Sequence, residues 1–299
     1  VNGPRSLFEE AFHSLAERGV LIEPAQRRLA PLRGVRCKLP GRQDAFTPDV
    51  DTYTLHQVGK VYAGTPTLRS ELKRHGATVG DLAEASGVVR SAYENDRRLV
   101  WGFSGYSSSL PGIDYRAEAH GMERLFSHLS ATHQLPSLVC DGGVAEGTLG
   151  LSGLLAEHYH VPTLRYVPLE GLGCIGSATH LVAHKATFQE REIFVALTGD
   201  ILVCFPGGPG TIRECEVAID NGVIVLCMLS DEKQYRPDSL PALFMRLPKI
   251  RKAFDEGQLF VCWNESTLKS QIASAISAAR RSSVPNRSQR FAAIGDHFQ

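Results

Sequence analysis

The string Pro206-Gly207-Gly208-Pro209-Gly210-Thr211, followed by Glu214, combines residue types that can hold an anion and act on what is attached to it. Glycines permit positive φ and close backbone approach, and the free N–H groups at the start of a helix beginning near Pro209 favour a phosphate. Thr211 adds a hydroxyl donor. Glu214, three residues further on, shares its helical face, so hydroxyl and carboxylate are expected to point into one pocket. Upstream, Arg191 carries a planar fork of donors that fits ribose or phosphate oxygens and stays protonated at neutral pH. Each feature also has a plain reading. A bare Gly-Gly-x-Gly with a proline near the first helical position is a tight turn, and a lone helix arginine commonly pairs with a neighbouring glutamate.

The elements that must position these residues are written as an alternation of short apolar runs and longer helical patterns from Leu99 onward, the pattern of a parallel sheet with crossover helices. The strands are expected at Leu99 to Phe103, Ser137 to Cys140, Thr163 to Pro168, Ile201 to Phe205, Val223 to Leu229 and Leu259 to Trp263. Helices are expected at about 114 to 133, 147 to 160, 175 to 198, 209 to 221 and 240 to 256. This is an α/β, Rossmann-like parallel sheet with flanking helices, and its ligand edge lies at the carboxyl ends of the strands. The glycine turn falls at that edge. So do Ser104, Gly105 and Ser107 after the first strand, Asp141, Gly142 and Gly143 after the second, and Gly171, Gly173 and Gly176 after the third. Backbone and hydroxyl donors in these loops can reach base, ribose or phosphate.

Pro-Gly-Gly-x-Gly-Thr-x-x-Glu resembles in full the signature of the Lonely Guy (LOG) family, the cytokinin-activating phosphoribohydrolases often mislabelled as lysine decarboxylases. That family also carries Met-x-x-Arg-Lys on a helix before the same strand, and Phe188-Gln189-Glu190-Arg191-Glu192 stands at that place. The resemblance gives Arg191 the position of the catalytic arginine and Glu214 that of the catalytic glutamate. It assigns the phosphate and nucleotide contacts to Ser104, Gly105, Ser107, Gly142, Gly143, Gly207, Gly208, Gly210 and Thr211. The departures are Phe188 for Met and Glu192 for Lys, the second removing a cation near the expected phosphate or ribose. The loop Asp141-Gly142-Gly143-Val144-Ala145-Glu146-Gly147-Thr148 is looser than the family's glycine run, and also resembles the Asp-Gly-Gly turn of sensor-type LOG-like domains.

What the resemblance implies is hydrolysis of the N-glycosidic bond of a nucleoside 5′-monophosphate, of the AMP or N6-modified AMP class, to free base and ribose 5-phosphate. A carboxylate beside C1′ stabilises the positive charge that develops there and orients or deprotonates water, a role that falls to Glu214. Arg191 would clamp oxygens. No metal or other cofactor is required by this chemistry, and the family's dimers imply a homodimer. The alternative is a nucleotide-binding sensor or regulator that holds its ligand in the same pocket without cleaving it.

Other residues carry less. His180 and His184, at i and i+4 on an expected helix, have no third ligand in view and read as two partly exposed histidines. Cys215 beside Glu214 has no identifiable base and reads as core packing.

The first 97 residues form a smaller, mainly helical segment, with helical patterns near 5 to 19 and 66 to 75 around a stretch rich in Pro, Gly and Arg. Within it, residues 78 to 96 resemble a helix-turn-helix with Gly87 at the turn and a second helix from about Val89 offering Arg90, Ser91 and Asn95. Glu94 and Asp96 face the same region, and the chain carries 32 basic and 32 acidic residues for a formal net charge of +0, so DNA binding is disfavoured. The boundary is expected near Asp96 to Arg98, the nucleotide-binding domain from 98 to 280, and a polar tail, mobile or draped over the surface, from 281 to 299. The 299 residues suffice for a full core, and a hydrophobic fraction of 43% excludes disordered and fibrous classes. Seven cysteines, odd in number and without a Cys-x-x-Cys pair, argue against a disulfide framework and a zinc ribbon and fit a reducing cytosol. No apolar run is long enough to span a bilayer, and the first residues lack the order of a signal peptide, so a cytoplasmic protein without membrane contact is expected.

Overall fold

The computed structural model describes residues 37–38, 45–46, 78–80, 82–94, 98–106, 115–143, 147–168, 180–184, 188–229, 240 and 244–296. The strands are β1 (Cys37–Lys38), β2 (Ala45–Phe46), β3 (Thr78–Gly80), β4 (Val100–Ser104), β5 (Leu138–Asp141), β6 (Thr163–Pro168), β7 (His180–His184), β8 (Ile201–Cys204), β9 (Ile224–Met228) and β10 (Leu259–Cys262). The described helices are α1 (Leu82–Glu94), α2 (Tyr115–Ala131), α3 (Gly147–His158), α4 (Phe188–Thr198), α5 (Pro209–Asp220), α6 (Pro248–Asp255), α7 (Glu265–Ser282) and α8 (Arg287–Asp296). β1 and β2 form a small antiparallel ladder of their own. The other eight strands make one parallel sheet in the order β10-β9-β8-β4-β5-β6-β7-β3.

Alternation along the strands divides the core into two layers. Trp101, Phe103, Val139, Ile201, Val203, Ile224 and Leu226 face α2, α3 and α7, whereas Val100, Cys140, Leu164, Tyr166, Leu202, Cys204, Val225 and Cys227 face α1, α4, α5 and α6. Strands covered on both faces must be apolar at every position, and β8 and β9 are nearly so. From β4 the chain moves outward through β5, β6 and β7. α4 then carries it back across the sheet to β8, on the other side of β4, and it continues outward through β9 and β10. The strand order thus reverses between β4 and β8, and at such a reversal open α/β sheets receive ligands beyond the carboxyl ends of their strands.

Three expectations change. The helical pattern over 175 to 198 is in fact β7 followed by α4, because an apolar run as short as Leu181-Val182-Ala183 fits either period and here pairing with β6 on one side and β3 on the other decides it. His180 and His184 therefore lie on a strand, their Cα atoms roughly 13 Å apart at strand rise, too far for one ion. Among the described residues no group of three or more ligands could hold a metal. The helix-turn-helix is replaced by β3 and a single continuous helix, α1, with Gly87 in its interior. The second helix expected to read DNA is therefore the latter half of α1, and Asn95 lies outside the described residues. Since β3 pairs in the main sheet and Val89 is buried in its core, the sheet domain begins before the boundary expected near Asp96 to Arg98.

The tail also differs. α7 runs to Ser282, and α8 then packs on α4 with Arg287 and Arg290 buried. The pattern over 240 to 256 is divided by Pro248, which starts α6 after a 3-10 turn at Phe244–Arg246. The patterns near 5 to 19 and 66 to 75 lie outside the described residues. Among the described residues no helix is long and apolar enough to cross a membrane.

Candidate functional site

Ser104 ends β4 in register with Cys204 at the end of β8, so the two strands deliver their loops side by side. The chain leaves β8 through Phe205, whose N–H donates to the Ser104 carbonyl at 2.9 Å, and turns through Gly207 and Gly208 into α5. Pro209 opens the helix. Gly208 is its N-cap, with no side-chain capping bond, so the first-turn N–H groups are left as an anion-favouring end. The turn is tight: a β-carbon on Gly207 would lie 2.0 Å from Thr211 Oγ1. The Gly207 carbonyl accepts from the Leu240 N–H at 2.8 Å.

One and a half turns into α5, Glu214 reaches back to β4, where Ser104 Oγ donates to its Oε2. Arg191, in the first turn of α4, comes from the helix packed against α5 on the same face of the sheet. Its Nη1 donates to the Gly142 carbonyl at 3.3 Å, and a β-carbon on Gly142 would stand 2.8 Å from the guanidinium carbon. Gly142 thus has to be glycine for Arg191 to lie where it does. Gly105 has the same relation to Thr148, whose Cβ a side chain there would meet at 2.7 Å. The Thr148 hydroxyl in turn donates to Glu118 on α2. Gly143, at φ +76, takes the turn after β5 with its N–H on Asp141 Oδ1 at 2.7 Å. Ser107, Gly171, Gly173 and Gly176 lie outside the described residues.

Arg191 and Glu214 are only 7% and 5% exposed. Burial pushes the Glu214 carboxyl up to about 8, and neither the Arg191 charge nor the Ser104 hydrogen bond brings it back. Glu192 and Asp141 raise it further. At neutral pH the buried side chain is therefore mostly protonated. Cys215, its neighbour in the helix, is fully buried in the apolar layer that also holds Cys204 and Cys227.

Two partners of the site were not foreseen. Asp141 is fully buried, accepting from Ser152 Oγ at 2.8 Å and pairing with Arg165 at 3.3 Å. The pair anchors the Gly142-Gly143 turn that contacts Arg191. The sequence did hold a signal, since a charged residue amid Thr163-Leu164-Arg165-Tyr166-Val167 of a strand buried on both faces requires a buried partner. Glu192, noted only as a departure, carries its Oε1 to the first turn of α5, against Gly210. On the other face of the sheet a cleft of about 520 Å³, open mouth included, is bordered by Glu118, Arg124, Phe205, Pro206 and Trp263. Neither Arg191 nor Glu214 lines it.

No protein-family model matches the chain, and no curated protein does. Solved structures do resemble it. The molybdenum cofactor carrier protein of Chlamydomonas reinhardtii is 17% identical over 62% of this chain and 98% of its own, with a TM-score of 0.43. The molybdenum cofactor binding protein of Rippkaea orientalis is 15% identical over 60% of this chain and 98% of its own, with a TM-score of 0.44. DNA processing protein A of Streptococcus pneumoniae is 13% identical over 62% of each chain, with a TM-score of 0.41. At this level of likeness, nothing about ligand or activity passes from those proteins to this chain.

Proposed function

We propose that the pocket beyond β4 and β8 hydrolyses the N-glycosidic bond of a nucleoside 5′-monophosphate of the AMP or N6-modified AMP class, releasing free base and ribose 5-phosphate. One observation carries this reading. Ser104, Gly142, Arg191 and Glu214, from four separate segments, converge at the reversal of strand order beside an uncapped helix end. The first turn of α5 would receive the phosphate through the N–H groups of Gly210 and Thr211. Arg191 would hold ribose or phosphate oxygens, because a guanidinium donates in a fork and does not serve as a base at neutral pH.

Glu214 would face C1′. As the bond to the base breaks, the leaving base takes the electron pair and a proton from solvent at the nitrogen that bore the sugar, C1′ becomes electron-poor, and water adds to it, giving a proton to Glu214 that then returns to solvent. The working form is the carboxylate, which stabilises the developing charge. Since burial holds this carboxyl up to about 8, kcat/KM is expected to rise with pH through a midpoint near that value. Incubation with AMP and N6-substituted AMP, followed by chromatography for free base, tests the proposal. Glu214→Gln should lower release by a factor of about 100 or more. Tight binding without release by the unaltered protein would overturn it.

That outcome would favour a binding-only role for the same pocket, a reading supported by the engagement of Glu214 with Ser104. The dimer implied by the family resemblance is checked by analytical ultracentrifugation, with a monomer counting against it.

A further inference from the structure

Glu192 follows Arg191 on α4 and is buried, at 9% exposure. Its Oε1 lies so near Gly210, the second residue of α5, that a β-carbon there would come within 2.7 Å of it. Its Oε2 has no hydrogen-bond partner among the described residues, Arg213 Nε standing 3.7 Å away, beyond hydrogen-bond reach. Arg213 is itself 46% exposed and screened by water, so it offsets the carboxylate weakly. Among the described residues the other ionisable groups that act on it are Arg191 on its own helix and the Glu214 carboxyl from α5. A negative side chain therefore stands at the helix end where an incoming anion would be received, and the glycine that lets it approach is one of the turn's own. Burial also holds the Glu192 carboxyl above the usual carboxylate range, as it would for an anion without full compensation.

We propose that Glu192 is a specificity-determining residue that weakens the hold of the glycine turn on the doubly charged 5′-phosphate of a monophosphate, narrowing the margin by which AMP is bound over the uncharged nucleoside. This rests on reading the pocket as a nucleotide site. The helix end attracts a phosphate and the carboxylate repels it at the same short range, whereas the uncharged 5′ hydroxyl of a nucleoside feels no such repulsion.

The test is calorimetric titration of the full chain with AMP, adenosine and inorganic phosphate, for the unaltered protein, Glu192→Gln and Glu192→Asp. Glu192→Gln keeps the shape of the side chain and removes its charge. It should tighten AMP by about tenfold or more while leaving adenosine nearly unchanged. Glu192→Asp, which keeps the charge, should retain most of the discrimination. An AMP-to-adenosine affinity ratio equal in all three proteins overturns the inference. If neither AMP nor adenosine binds any of them but phosphate binds the Gln variant more tightly, the nucleoside reading of the pocket fails and the charge-setting role of Glu192 stands. If phosphate binding is also indifferent to residue 192, the role of Glu192 fails too.

Discussion

A carboxyl taken out of water keeps its proton unless nearby charge compensates, and Glu214 is undercompensated, with its pKa pushed up to about 8 by burial. The unfolded chain ionises this group near 4.5, so its stabilising contribution is complete below that value and is lost as pH rises through about 8. Glu214→Gln should therefore raise the melting temperature little at about pH 5 and by several degrees at about pH 8, read from thermal unfolding. An equal effect at both pH values would contradict the account. Arg165 makes the opposite case, a buried charge that is paired. A β-carbon on Gly153 would lie 1.6 Å from its Nη2, and at 1% exposure the guanidinium has nowhere to retreat. Gly153→Ala is expected to break the pair with Asp141 and cost about 3 to 5 kcal/mol in chemical denaturation. It should also loosen the Gly142 turn and weaken any ligand held by Arg191.

At the scale of the element, Gly87 decides between two structures with opposite signs. In a helix-turn-helix it would occupy the turn, and a side chain would be strained there. In α1 it is an exposed interior residue, with nothing within 4 Å of an added β-carbon. Gly87→Ala should stabilise the protein, by about 1 kcal/mol at most. A loss of stability in the same denaturation measurement would restore the turn. β7 teaches a related lesson. Five residues with an apolar centre satisfy either a helix or a strand, and the hydrogen bonds offered by β6 and β3 choose the strand.

Across the whole molecule, the C-terminal helix is held by one buried carboxylate. Asp200, at the foot of β8, is fully buried and accepts from Arg287 at 2.8 and 2.6 Å, from Arg290 at 3.1 Å and from the Val100 N–H of β4 at 2.8 Å. Arg287 also stacks on the Tyr93 ring of α1, 4.8 Å from its centre, and Tyr93 donates to the Thr198 carbonyl at 2.7 Å. Residues near 90, 100, 200 and 290 are thereby joined beneath the sheet, at the end remote from the glycine turn. Arg287→Leu leaves Asp200 with half its compensation and is expected to cost about 3 to 5 kcal/mol, with binding at the turn unchanged. A surface role for the tail would predict no loss.

The sequence alone determined what depends on local pattern. Strands buried on both faces are legible as apolar runs, and the glycine turn with Thr211 and Glu214 is legible because its spacing lies within one strand, turn and helix. Tertiary structure decided what depends on distant partners. Ser104 meets Glu214 across 110 residues, Asp141 pairs with Arg165 of the neighbouring strand, and Arg287 is drawn from an apparent tail into the base of the sheet. The physical reason is the same in each case. A polar group's partner is fixed by which strands pair and which helix crosses over them, and the cost of burying it unpaired, which selects the arrangement, is invisible until the fold brings the segments together.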